Sequence, residues 1–542
     1  MFQNKSVDVH QFVMVPRADV PRSSFRMQKA YKTAFDSGYL VPIFCEEVLP
    51  GDSFRLSATV FARLTTPIAP VMDNIYLETF FFFVPNRLLW SNWKKFMGEQ
   101  ANPGDSISYL VPYITTPAGG PAVGSVYDYF GIPTAGQVGV GNTLDVCALP
   151  LRAYNLIYNE WFRDENLVNH ATINMGDGPD PSGDYVLRRR GKRHDYFTSA
   201  LPWTQKGSAV SLPLTGNATV KTQASNLVTG TQVGMQMLMT NGGTPTGGRA
   251  VGVNTGSSNR LEEGANASGA FVGNGLYPAN LYADLSTVTA TTINALRLAF
   301  QTQKLLERDA RGGTRYTELV RAHFGVVSPD ARLQRPEYLG GGSTRVNVSP
   351  VAQTSATGLT GGTTPQGGLA AFGTALGDHH GFRQSFTEHG YVIGLANVRV
   401  DLSYQQGLRR HWKRRTRYDY YFPAFAMLGE QAILQGEIFA DGSGSDALVF
   451  GYQERWAEYR YLPSEITGKM RSTASGTLDV WHLAQKFTTA PTLNQTFIED
   501  TPPIARIQAV AGEPQFKVDV FYDVVAARPL PLYSVPGMMD HF

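Results

Sequence analysis

Cysteine is scarce in this chain: Cys45 and Cys147 are the two in 542 residues, with no CxxC and no His/Cys spacing suited to zinc. That excludes a disulfide framework and leaves two buried thiols in a reducing compartment as the expectation. Charge is scarce as well, at 17% of residues against about 25% in ordinary soluble domains. The formal net charge of +2 excludes a bulk-basic nucleic-acid protein, so any polyanion contact has to be local. No apolar run approaches the ~20 residues of a membrane-spanning helix. The opening Met1-Phe-Gln-Asn-Lys-Ser-Val-Asp8 lacks the apolar core of a secretory signal. A soluble protein of cytoplasmic origin is the expectation.

Catalytic signatures are missing too. No Gly-x-Ser-x-Gly elbow, phosphate loop or dinucleotide fingerprint stands in a suitable context, and the carboxylates form no readable pair. His379, His380 and His389 sit in Gly-rich surroundings with Asp378 and Glu388 nearby, without HExxH or paired-ligand spacing. The residues therefore predict no enzyme, no cofactor and no metal.

What is abundant is glycine (55), proline (32), phenylalanine (30) and tyrosine (25). The stretch Ile75-Tyr-Leu-Glu-Thr-Phe-Phe-Phe-Phe-Val-Pro85 is apolar at consecutive positions, as in a strand buried between two layers. Pro85 ends it, and Leu89, Trp93 and Phe96 then recur at helical spacing before Gly98. Phe54, Leu56, Ala58, Val60, Ala62 and Leu64 alternate with Arg55, Ser57, Thr59, Phe61 and Arg63, which predicts a half-buried strand with one wet face. Phe516, Val518, Val520, Tyr522 and Val524 predict another, and 391–402 a third with Val392, Ala396, Val398, Val400 and Leu402 inward. Helices are expected at 150–163, from Thr291 or Thr292 to Gly312-Gly313, and over Tyr316–Phe324. In the second, Ala295, Leu298, Ala299, Leu305 and Leu306 share one face. Residues 340–381 read as a Gly/Thr-rich loop holding a short strand, Thr344–Ser349. Strands early and late, with helices and loops between, imply a mainly β fold with non-local pairing.

Between Lys206 and Arg297 the charged residues are Lys221, Arg249, Arg260, Glu262, Glu263 and Asp284, and Gly, Thr, Asn, Ser and Ala fill the rest. The expected domain plan is a discontinuous body, 1–207 and 283–542 with an N-terminal arm, interrupted by a projecting insertion at 208–282. Two basic clusters stand out: Arg188, Arg189, Arg190, Lys192, Arg193 and His194; and Arg409, Arg410, Lys413, Arg414, Arg415 and Arg417 with His411 and Trp412 between. Aromatics beside them suit stacking on unpaired bases, and the cations suit phosphates. Each also reads as a solvated or intersubunit salt-bridge loop.

Several stretches resemble one family, the major capsid proteins of gokushoviruses, single-stranded-DNA phages of the Microviridae. They include Val15-Pro-Arg-Ala-Asp-Val-Pro-Arg22, Tyr39-Leu-Val-Pro-Ile43, Leu49-Pro-Gly-Asp52 and Phe80–Phe83 with Val84-Pro-Asn-Arg87. Gly191-Lys-Arg-His-Asp-Tyr-Phe-Thr-Ser199, Leu201-Pro-Trp-Thr-Gln-Lys-Gly207, Phe450-Gly-Tyr-Gln-Glu-Arg455 and Pro531-Leu-Tyr-Ser-Val-Pro-Gly537 follow in the same order. The resemblance fades over 208–282 and 350–380.

The resemblance implies an eight-stranded viral jelly roll of two packed antiparallel sheets. It implies assembly, through pentamers and three-fold contacts, into a T=1 icosahedral shell around a circular single-stranded DNA genome. The virion would be built in the host bacterial cytoplasm, with small basic internal or minor proteins as further partners. The basic clusters would then face the DNA. The insertion would protrude at the three-fold axes toward a host receptor, with Met235, Met237, Leu238, Met239, Asn241, Phe271 and Tyr277 as its candidate residues. Trp90 and Trp93 are the candidates for reaching a neighbouring subunit. The rival readings are a jelly-roll carbohydrate-binding or glycan-hydrolysing phage protein, which would need paired carboxylates in a cleft, and a nucleic-acid enzyme.

Overall fold

The computed structural model describes residues 21–211, 219–222, 237–239, 251–254, 260–264, 271–278, 281–284, 292–354 and 368–533. The chain divides into two compact units, residues 1–204 with 309–542, and residues 205–308.

Eight strands make the framework of the larger unit. They are β1 (Ser23–Phe35), β2 (Val41–Val48), β3 (Ser53–Leu64), β4 (Ile75–Pro85), β5 (Glu337–Ala352), β6 (Leu369–Ser385), β7 (Gly390–Val400) and β8 (Phe516–Arg528). They pair in the order β1-β8-β3-β6-β5-β4-β7-β2, antiparallel throughout. The chain repeatedly crosses between the half β1-β8-β3-β6 and the half β5-β4-β7-β2, and this crossing pattern is that of a jelly roll. The halves face each other across one core. Phe44 of β2 lies 5.0 Å from Tyr522 of β8, and Phe81 of β4 lies 5.7 Å from Phe382 of β6, ring to ring. Edge strand β2 is stitched to β1 and β8 of the opposite half. Tyr31 Oη donates to the Pro42 carbonyl at 3.2 Å, and Tyr522 Oη to the Ile43 carbonyl at 3.0 Å.

The greasy run at Phe80–Phe83 is explained by its place in this array. Ile75, Leu77, Phe81 and Phe83 enter the interior core, while Phe82 and Val84 point the other way into a second apolar cluster. That cluster is built on helix α1 (Leu149–Ile157) and its continuation Tyr158–Phe162, with Phe82 5.5 Å from Trp161. A strand covered on both faces has no polar side to show in its sequence. β3 and β8 carry one clean alternation each, as expected of strands with one open face.

Three expectations need correction. Of the stretch at 340–381 expected as a Gly/Thr-rich loop, the described residues are mostly strand, supplying most of β5 and much of β6. Its glycines fit where neighbouring backbones press in, since a Cβ on Gly341 or Gly381 would stand 2.0 Å from a carbonyl oxygen of Thr79 or Leu56. Leu402 lies past the end of β7 and packs instead in a third cluster around Tyr404. The helix expected after Pro85 is a single turn, Trp93–Phe96, with Gly98 at φ 102° closing it.

Helices α2 (Ile293–Gly312) and α3 (Tyr316–Phe324) form as expected. Leu298 and Leu305, on the predicted apolar face of α2, are exposed within the chain. In the smaller unit, Met237–Met239, Phe271–Pro278, Arg260–Gly264 and Val251–Asn254 form a sheet in that order, and Thr219–Thr222 pairs with Leu281–Asp284.

Candidate assembly and nucleic-acid interfaces

The first basic cluster is threaded through the body as a strut. Arg190 N–H donates to the Gly38 carbonyl and Leu40 N–H to that of Arg188, at 2.8 and 2.9 Å. On the other side Lys192 N–H donates to Ile498 and Asp500 N–H to Arg190, both at 2.8 Å. The side chains are spent inside the chain as well. Arg190 pairs with Glu78, and Arg193 reaches Glu78 at 3.1 Å and Asp401 at 3.0 Å. Arg189 lies 3.9 Å over the Tyr39 ring and Arg188 5.7 Å over Tyr158. Lys192 donates to Gln485 Oε1 at 3.0 Å and sits 4.3 Å over Phe497.

A buried counter-charge completes the strut. Asp500 is 3.8 Å from Arg399, whose Nη2 also donates to the Gly191 carbonyl at 3.0 Å. Burial pushes the Asp500 carboxyl up to about 6 despite the opposing pull of Arg399 and Lys192. Burial likewise brings Lys192 down to about 8 and Arg399 down to about 10. Against the expected DNA contact, Lys192 is buried, and Arg190 is half-buried with its guanidinium paired to Glu78. Of the cluster, His194 is exposed.

The second cluster divides. Arg409 pairs with Glu465 at 3.0 Å, Arg410 with Glu437 at 3.1 Å and Arg414 with Glu458 at 3.2 Å. Lys413 donates to the Asp446 carbonyl at 3.3 Å. Arg409, Arg410 and Arg414, with their three carboxylate partners, border a cavity of about 400 Å³ lined also by Tyr404, Trp412 and Tyr459. Arg415 and Arg417 are different: both are exposed, and neither has an ion pair among the described residues. Arg417 lies 5.4 Å over the Phe422 ring, and Trp412, Tyr418 and Tyr420 stand exposed in the same segment. Free guanidinium groups beside open rings can neutralise phosphates and stack on unpaired bases. The carboxylates that divide the clusters lie from 27 to over 300 residues away in sequence, so no local spacing signals them.

Trp90 is fully buried and donates its indole N–H to Asp177 Oδ1 at 2.7 Å. It has no surface for a neighbouring subunit, which corrects that expectation; Trp93 is half-buried, 5.6 Å from His389. In the smaller unit Met237, Leu238 and Met239 stand in register with Pro278, Tyr277 and Leu276, and Phe271 opposes Gly264. Met235 and Asn241 lie outside the described residues.

His380 is buried and bridges Thr79 Oγ1 and Thr344 Oγ1, each at 2.9 Å. Among the described residues no group of three His, Cys, Asp or Glu is placed to hold a metal. Cys45 is half-buried, its thiol pushed up to about 12 by burial, but Cys147 is exposed, contrary to the expectation of two buried thiols.

Comparison with known proteins bears on this whole architecture. A family model described as "Capsid protein (F protein)" matches residues 13–538. The chain is 48% identical over 537 residues to capsid protein VP1 of Bdellovibrio phage phiMH2K, with 98% of each chain covered. It is 43% identical to capsid protein VP1 of Chlamydia phage 1 and 37% identical to that of Spiroplasma virus 4, again over 98% of each chain.

Proposed function

The chain belongs to the phage capsid protein (F protein) family, and from that premise we propose that it closes into a T=1 icosahedral shell around a circular single-stranded DNA genome. It is a major capsid protein, a component of the virion that assembles with copies of itself. The gokushovirus resemblance and the jelly roll expected from the sequence both hold. Pentamer and three-fold contacts, assembly in the host cytoplasm and small basic internal or minor proteins as partners belong to the proposed reading. So does the division into a body and a 208–282 protrusion at the three-fold axes that meets a host receptor. The work of the chain is association, not catalysis. Glu437, Glu458 and Glu465, the carboxylates beside the cavity, are held by Arg410, Arg414 and Arg409.

The observation that carries this reading is full-length similarity joined to a jelly-roll body that leaves large apolar side chains uncovered. Met427, Leu462 and Phe324 are 97%, 83% and 78% exposed in the single chain. These side chains are available to be covered when copies of the chain associate. Genome contact is assigned to Arg415 and Arg417 with Trp412, Tyr418 and Tyr420.

The test is to express the chain alone and examine it by negative-stain microscopy and light scattering, with and without single-stranded DNA. Closed particles of one size are expected, whereas a persistent monomer that cleaves a glycan would overturn the reading.

A further inference from the structure

The two halves of the jelly roll are not equally clothed. The outward side of β4 and β7 is packed under α1 and the aromatic residues around it, through Phe82, Val84, Ile393 and Leu395. Over the outward side of β3, β8 and β6, Phe61, Phe372, Leu376 and Phe521 remain 40%, 47%, 63% and 45% exposed.

The charges on that open face are arranged unusually. Strand register sets Arg55 directly opposite Arg383, and Arg63 directly opposite Lys517. Cross-strand neighbours have Cβ atoms about 5 Å apart, and like charges there are destabilising. Toward β1 the face is neutralised, because Arg26 pairs with Asp523 at 2.9 Å and Lys32 with Asp519. Lys517 has Glu513 at 2.8 Å. Arg55, Arg63 and Arg383 are exposed and have no ion pair among the described residues. Arg55 and Arg63 point the same way eight residues apart on β3, about 26 Å along the strand. Phe61 lies between them, and Phe521 stands on the adjacent strand.

We propose that this outward face of β3, β6 and β8 is a platform for single-stranded DNA, with Arg55, Arg63 and Arg383 on phosphates and Phe61, Phe372 and Phe521 under unpaired bases. The proposal rests on the reading of an enclosed single-stranded genome, and it places a contact surface away from both arginine-rich loops. A polyanion relieves the repulsion that the register builds in. A second copy docking the same face on itself would bring arginine toward arginine. A duplex would hide the bases that exposed rings can stack on, whereas a single strand offers them.

The test uses the purified full-length chain and a fluorescein-labelled oligo(dT), with anisotropy measured across a salt series. Arg55→Gln with Arg383→Gln is expected to lower the log–log salt slope by about 1.4, at ~0.7 per lost phosphate contact. Arg55→Lys with Arg383→Lys keeps the slope. Phe61→Ala with Phe521→Ala weakens binding by about tenfold per ring at an unchanged slope. The Gln pair melts no lower than the parent chain, since it removes a repulsion. Unchanged slope and affinity in the Gln and Phe→Ala variants overturn the platform. Loss of closed particles with oligonucleotide binding intact also overturns it, and makes the face a contact between copies. Microscopy of the parent chain separates the two readings. Closed parent shells with unaltered variant binding sink the platform alone, while absence of parent shells sinks the capsid reading.

Discussion

The segments 188–193 and 409–417 have nearly the same composition and opposite fates. The first is clamped between residues 38–40 and 498–500, with its charges matched by Glu78, Asp401 and Asp500. The second is matched along its first part by Glu437, Glu458 and Glu465 and then left open at Arg415 and Arg417. A run of arginines is therefore no measure of available positive charge. What decides is whether the fold brings carboxylates to it.

The largest expected effect comes from breaking the closed segment. Asp500→Ala leaves Arg399 and Lys192 buried without their counter-charge and is expected to cost about 3–5 kcal/mol, read as a lowered denaturant midpoint. A neutral outcome would mean that the strut is solvated and that the two segments are alike after all.

The same carboxylate gives the closed segment a pH signature. Its folded pKa of about 6 lies above the ordinary value of 3.8, so between those values the folded state binds more protons than the unfolded. The stability it contributes is present below about pH 4 and lost as pH rises through about 6. Melting temperatures of the parent and Asp500→Asn are expected to diverge across that window, with the parent gaining relative stability toward acid. Parallel curves would contradict the burial argument.

A smaller effect is expected where the open segment is partly matched. Glu458→Gln releases Arg414 while Arg410 keeps Glu437, which should cost roughly 1 kcal/mol and tighten oligo(dT) binding severalfold at low salt. Smallest in stability is Arg415→Gln with Arg417→Gln, expected within about 0.5 kcal/mol of the parent. That pair should still reduce the DNA content of purified particles, measured by absorbance ratio. Unchanged DNA content would remove these two arginines from the genome contact.

Much of the framework was legible in the sequence. β3 and β8 have one dry and one wet face, so a period of two exposes them at once, and β4 declared itself by having no polar face. β5 and β6 were hidden because glycine serves there as a spacer under close backbone contact, while glycine in a sequence reads as a turn. The site was harder. Arg190 and Glu78 are 112 residues apart and Arg410 and Glu437 are 27 apart, so neutralisation is a property of the fold alone. Trp90, expected to reach a neighbouring subunit, misled for a related reason: Asp177, 87 residues away, supplies the acceptor that lets the indole be buried.

The most direct test of the account is a cryo-electron microscopy reconstruction of particles assembled from this chain. The account predicts a closed icosahedral shell of jelly-roll bodies, with nucleic-acid density beside Arg415 and Arg417 and residues 188–193 enclosed in protein. A chain that forms no closed shell, or density for DNA against 188–193 with 415–417 facing away from it, would contradict it.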